Sequence, residues 1–154
     1  NYRASLWTGR DEAIRFMRSL IVTADIMKVS DEELPLLTGE TDPEKAADAL
    51  LDQGVKIVAI TLGSEGAYVR VGKEHALVPG FRAKAVDTTG AGDSFFGGFL
   101  YRFLSSGKSL REVTINDAAD YARFGNATAS VCVERRGGIP AMPKLAEVLE
   151  RLKQ

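Results

Sequence analysis

The chain has 154 residues, 45% of them apolar and 27% charged, with a formal net charge of -1. That length suits one domain with a buried core, and the near-balanced charge argues against nucleic acid or an anionic membrane surface as partner. No apolar stretch approaches the roughly 18 residues that span a bilayer. The lone Cys132 lies in an apolar run, cannot form an internal disulfide, and reads as a buried thiol of a reducing compartment. The N-terminus is polar and aromatic, without the basic-then-apolar order of a signal peptide, so a cytoplasmic protein is expected. The chain opens without Met, and Asn1-Tyr2-Arg3 reads as the end of a strand entering a loop, so a fragment of a larger protein is expected.

In chain order, residues 11–20 set Ile14, Met17 and Leu20 on one side and Arg15 and Arg18 on another, which predicts an amphipathic helix. A short apolar run ending at Ile26-Met27-Lys28-Val29 predicts a strand. Ser30-Asp31-Glu32-Glu33 opens a short helix that stops at Thr38-Gly39. Asp42 and Pro43 predict the cap and first position of another helix, running to about Gln53 and ending at Gly54. Residues 55–62 are β-branched and almost wholly apolar, as in a strand covered on both faces of a parallel sheet. Gly63 to Gly66 turns the chain, and residues 67–71 and 74–78 about Gly72-Lys73 predict a hairpin. Helices follow over residues 94–105, over 110–131 as one helix or a pair, and over 143–152, with a loop at 135–140. Strands alternating with helices imply an α/β fold: a mostly parallel sheet with a short antiparallel hairpin. Ligands of such sheets bind beyond the carboxyl ends of the strands.

The segment Asp87-Thr88-Thr89-Gly90-Ala91-Gly92-Asp93 falls in such a strand-to-helix loop. Three small residues before a helix let backbone N–H groups approach an anion closely, and the helix N-terminus adds partial positive charge. Asp93 has two readings, a helix cap or a group that takes part in chemistry. The segment lacks the Gly-Lys-Ser/Thr of a Walker P-loop, and Phe95 stands where a dinucleotide fingerprint needs its third Gly.

From Asp87 through Phe95, followed by Gly97-Gly98-Phe99, the sequence resembles the second signature of the PfkB/ribokinase family of carbohydrate kinases. The resemblance extends over essentially the whole chain but only the C-terminal, ATP-binding half of the family's usual length, and it leans towards bacterial fructokinases. It implies a ribokinase-like three-layer α/β/α fold, with the N-terminal substrate and lid half absent. It also implies transfer of the γ-phosphoryl group of ATP to a sugar hydroxyl, with fructose as the sugar. Asp93 would be the general base, and Gly90, Ala91 and Gly92 an anion hole. Positioning and electrostatic stabilisation are what phosphoryl transfer requires. Kinases of 2-keto-3-deoxygluconate, ribose or a nucleoside are the alternatives within the family. A nucleotide-binding module without catalysis and an inactive structural fragment are the alternatives outside it.

The same resemblance assigns further positions. Ser30 and Glu33 match the family's Asn-X-X-Glu motif with Ser in place of Asn; Glu33 would help hold Mg2+ through water and Ser30 would lie near the nucleotide. Ser-X-X-Glu before a helix is equally a capping box, and both roles can coexist. Thr61, Gly63 and Gly66 match a nucleotide loop that otherwise reads as a plain strand-end turn, and Asn126 matches a position near adenine. Asp87, with backbone carbonyls of Thr89, Cys132, Arg135 and Gly137, would hold a monovalent cation such as K+, although Ala141 stands where ribokinases tend to have Ser. A solvated basic turn is the alternative for Arg135-Arg136. Arg3, in Asn1-Tyr2-Arg3-Ala4-Ser5-Leu6-Trp7, matches a residue that approaches the sugar. His75 is expected at the surface. The partners implied are ATP and a small sugar, and the parent protein is expected as a homodimer.

Overall fold

Two apolar strands place the chemistry. The computed structural model describes residues 4–154, so the sugar-side expectation for Arg3 lies outside the described residues. Strands β1 (Ile26–Ser30) and β2 (Ile57–Thr61) pair in parallel, Ile26 opposite Ile57 and Ser30 opposite Thr61. A 3-10 turn at Gly63–Glu65 then reverses the chain into β3 (Gly66–Val71), which lies antiparallel to β2. Strand β4 (Glu74–Pro79) closes the predicted hairpin, with Gly72 in the left-handed region at φ +55°. The order is β1-β2-β3-β4, a mixed sheet whose antiparallel portion reaches back to β2.

Alternation along the strands divides the core. Val58, Ile60 and Tyr68 face one side, with buried side chains of α1 (Arg10–Ile21), α2 (Leu34–Leu37) and α3 (Pro43–Leu51). Ile57, Ala59, Ala67 and Val69 face the other, against α4 (Ala91–Ser105) and α5 (Ile115–Cys132). This is the three-layer α/β/α arrangement, and it explains why β2 is apolar at every buried position. A last helix, α6 (Leu145–Arg151), packs Val148 against Phe124 and Ala127 of α5.

The helix boundaries have local causes. Asp42 accepts from the Lys45 amide at 3.0 Å and Pro43 takes the first position of α3, as its sequence predicts. The segment 110–131 resolves into a single helix that starts at Thr114, whose side chain exchanges hydrogen bonds with Asp117. Helices α4 and α5 touch through glycine: a Cβ on Gly125 would stand 2.8 Å from the Phe95 carbonyl oxygen. Cys132 is buried and free. His75 is exposed, its ring stacked on Tyr68 at 5.4 Å. No helix among the described residues is long and apolar enough to cross a membrane.

Candidate active site

The carboxyl ends of β1 and β2 open onto a cleft of about 460 Å³ whose far wall is the first turn of α4. This is where a parallel pair presents its loops to a ligand. The turn begins earlier than the sequence suggested. Gly90, not Asp93, is the N-cap, with φ +81° and ψ 2°. Ser94 is the first residue of the helix to donate back to it, at 2.8 Å from the Gly90 carbonyl. Amides of a first turn have no acceptor within the helix, so this end can accept negative charge. Asp93 is the third helical residue, exposed, and lines the cleft with Gly90, Ala91 and Gly92. The left-handed φ favours glycine at position 90, and a Cβ there would approach Gly138 Cα at 3.2 Å and Met142 Cε at 3.3 Å.

Opposite that turn stands the segment that leaves β1. The Glu33 carboxylate accepts from the Ser30 amide at 3.0 Å and from the Ser30 hydroxyl at 3.1 Å, half of the predicted capping box. Both residues line the cleft, so the capping bond leaves them on its wall. Thr61, at the end of β2, donates to the Val29 carbonyl at 3.4 Å and also lines it.

Gly63 and Gly66 both line the cleft but differ in what a side chain there would meet. A Cβ on Gly63 would meet nothing, and Gly63 opens onto the cleft. Gly66 has φ +111°, and a Cβ there would overlap the Val78 carbonyl oxygen at 2.1 Å. Gly66 is thus required by packing against β4. Asn126 is buried on α5, and its side-chain amide donates to the carbonyls of Val78 and Pro79 at 3.0 and 3.1 Å. Those bonds tie α5 to β4 where an adjoining hollow of about 680 Å³ meets the cleft. Phe81, Ala83, Ala85 and Val133 line that second hollow, an apolar slot beside a polar cleft.

A second cluster braces the turn from behind. The Asp87 carboxylate accepts from the Gly137 amide at 2.9 Å and from the Thr89 amide at 2.9 Å. These hydrogen bonds, Gly137 first, lower its pKa from 3.8 to about 2, helped by the nearby Arg136 charge. The Val133 carbonyl accepts from the amides of Val86 and Asp87 at 2.7 and 3.2 Å. The loops carrying Asp87, Thr89, Cys132, Arg135 and Gly137 therefore meet. Arg135 itself turns to Glu147, which raises the guanidinium pKa through their hydrogen bond. Among the described residues no three His, Cys, Asp or Glu side chains gather as a metal cluster, so a cation here would rely on carbonyl oxygens and one carboxylate.

One residue of this site carried no functional reading in the sequence. Lys28 lies within β1, its side chain only 9% exposed, and lines the cleft. A charged residue inside the run Ile26-Met27-Lys28-Val29, two positions before a motif, is the signal that could have found it.

The three-layer α/β fold thus sets a helix N-terminus, two strand ends and facing carboxylates around one cleft. Residues 1–145 match the family model of the pfkB family carbohydrate kinases, and the chain belongs to that family. It is 36% identical over 157 residues to Fructokinase-2 of Solanum lycopersicum, covering 99% of this chain and 46% of that protein. A fructokinase double mutant from Vibrio cholerae O395, solved with fructose, ADP and potassium ion bound, superposes with a TM-score of 0.88 at 31% identity, over 98% of this chain and 48% of that one. A ribokinase from Thermotoga maritima gives 0.75 at 34% identity, over 89% and 45%. The fold is ribokinase-like, and the chain spans about half the length of the curated relatives it matches.

Proposed function

We propose that this chain supplies the nucleotide-binding, C-terminal half of an ATP-dependent sugar kinase that phosphorylates fructose. The observation that carries the reading is the Gly90-Ala91-Gly92-Asp93 turn, whose helix end and carboxylate face one cleft at the strand ends. Membership of the family and the fructokinase relatives support the choice of reaction and sugar. The apolar hollow beside Asn126 suits the base of ATP, which directs the phosphates towards the first turn of α4.

Asp93 takes the proton of the sugar hydroxyl as its oxygen attacks the γ-phosphorus, and the bond from that phosphorus to the β-phosphate oxygen breaks. The backbone of Gly90, Ala91 and Gly92 stabilises charge on the transferring group. Glu33 and Ser30 suit Mg2+ and its water from the opposite wall, where oxygen donors fit a hard cation. Magnesium, when bound with the nucleotide, neutralises phosphate charge. Asp87, ionised at any ordinary pH, and the carbonyls of Thr89, Cys132, Arg135 and Gly137 would hold K+, the cation bound in the Vibrio cholerae neighbour.

The test is ADP release by the full-length polypeptide with fructose, ribose and 2-keto-3-deoxygluconate. Asp93→Asn should lower kcat by about 10²- to 10⁴-fold with ATP affinity retained. Near-normal turnover would remove Asp93 from the role of base. Faster turnover of another sugar would reassign the substrate, and ATP binding without turnover of any sugar would favour a non-catalytic nucleotide module.

A further inference from the structure

We propose that Met142 is a positioning residue whose methyl group holds the Gly90 turn in place, and that a peroxide, by oxidising its thioether, lowers turnover. The part of this that concerns turnover rests on the kinase reading above. Gly90 caps α4 from the left-handed region, with no side chain making a capping hydrogen bond. Glycine gives up more backbone freedom on ordering than any other residue, so such a cap must be held by what surrounds it. Along the chain, the Ala91 amide donates to the Thr88 carbonyl at 3.1 Å and the Ser94 amide to the Gly90 carbonyl at 2.8 Å. Across the fold, the place a Cβ would take at Gly90 is closed by Gly138 Cα at 3.2 Å and Met142 Cε at 3.3 Å. Gly138 offers only backbone there, and Met142 is the side chain that completes the support.

The backbone that carries Met142 is itself fixed. Ala141 is fully buried, its amide donates to the Gly138 carbonyl at 3.1 Å, and the Met142 amide donates to the Ile139 carbonyl at 3.2 Å. A rigid turn thus presses a side chain onto a turn that needs support. Groups that stabilise a transferring phosphoryl must stay in register with it, and a displacement of about 1 Å costs about 10²-fold in rate. A shorter side chain at position 142 leaves a gap beside Gly90 into which the turn relaxes.

The same residue is the sulfur that an aqueous oxidant meets first. Met142 is 37% exposed, whereas Met17 and Met27 are partly buried against the core and Cys132 is fully buried. A sulfur lone pair attacks one oxygen of hydrogen peroxide and the O–O bond breaks. The thioether is oxidised by two electrons to the sulfoxide, and the peroxide is reduced to water. The new S–O group is polar, turns towards water, and draws the methyl off Gly90.

The experiment compares full-length wild type, Met142→Ala and Met142→Leu, each before and after hydrogen peroxide. It reads kcat and KM for fructose, and by mass spectrometry the hydrogen exchange of the first turn of α4, where the Ser94 amide reports on its bond to Gly90. Met142→Ala should lower kcat by about 10- to 100-fold at nearly unchanged KM, and should speed exchange in that turn. Met142→Leu keeps an apolar contact, should recover most of kcat, and should hold it after peroxide. Wild type should lose kcat to peroxide and regain it with a methionine sulfoxide reductase. If Met142→Ala does not fold, peroxide-treated wild type against peroxide-treated Met142→Leu carries the comparison. Unchanged exchange in the turn, or wild-type kcat in a folded Met142→Ala protein, overturns the assignment. So does a Met142→Leu protein that loses kcat to peroxide as wild type does. A wild type that phosphorylates no sugar removes the kinase reading and the role in turnover with it, while exchange still decides whether Met142 holds the turn.

Discussion

Neighbouring glycines on α4 and α5 should respond to the same substitution with opposite signs. Gly97 is exposed, and a Cβ there would meet nothing within 4 Å. Gly97→Ala should therefore gain about 0.5–1 kcal/mol, the difference between Gly and Ala in a helix interior. Gly125, on α5, faces α4: its Cβ would stand 2.8 Å from the Phe95 carbonyl oxygen and 2.9 Å from two carbons of the Phe95 ring. The ring is 2% exposed and packed beside Phe99 at 6.2 Å, so it has little room to yield. The carbonyl belongs to the backbone of α4 and cannot rotate aside. Overpacking of this kind costs about 1–3 kcal/mol, offset by the same helix-propensity gain, so Gly125→Ala should lose about 1–2 kcal/mol net. Urea unfolding of the full-length polypeptide measures both, as midpoint shifts at unchanged slope. Because Phe95 is two residues from Asp93, Gly125→Ala should also lower turnover. A Gly125→Ala protein at least as stable as wild type would refute the close crossing of α4 and α5 as a constraint on the site.

Two further outcomes concern charge and capping. The Asp87 pKa is depressed from 3.8 to about 2, so its contribution is present above the unfolded value and lost as pH falls from there towards about 2. Asp87→Asn should flatten the acid limb of a stability-against-pH curve read by fluorescence; an unchanged slope would contradict it. Asp117, lowered to about 2 chiefly by Lys108, titrates in the same window and should supply the slope that remains. Thr114→Ala removes a hydroxyl that donates to Asp117 at 2.7 Å and accepts from its amide, and should cost about 0.5–2 kcal/mol in a urea melt. Thr114→Ser should restore most of it.

Much of this was legible in the chain because the signals were local. Asp42 with Pro43 marked the start of α3, Gly72 the hairpin, and Gly90 to Asp93 the turn at the site. What was less legible depended on contacts across the fold. The apolar run of β2 predicted burial on both faces but could not say that β3 would be its antiparallel neighbour, since helix layers cover a mixed strand as they do a parallel one. The start of α4 moved to Ala91 because a left-handed Gly90 ends the loop, which spacing alone does not reveal. Gly66 read as part of a nucleotide loop, and it does line the cleft; that a β4 carbonyl also fills the space a side chain would need was not legible in the sequence. Lys28 escaped notice because a lone lysine in a strand is ordinary until the opposing Gly92 is known to be beside it.

The Asp87 carboxylate works as a staple: each oxygen holds an amide from a different loop, fifty residues apart in the case of Gly137. Chain connectivity and mechanical connectivity thus part company in this domain. The turn at Gly107, exposed and at φ +67°, links α4 to α5 along the chain but carries no part of the site, and it is where a nick, tag or inserted module does least harm. Residues 134–138 are far from Gly90 in sequence yet rigidly geared to it. One residue added there would slide Gly137 off its carboxylate and shift the turn at Gly90 from outside.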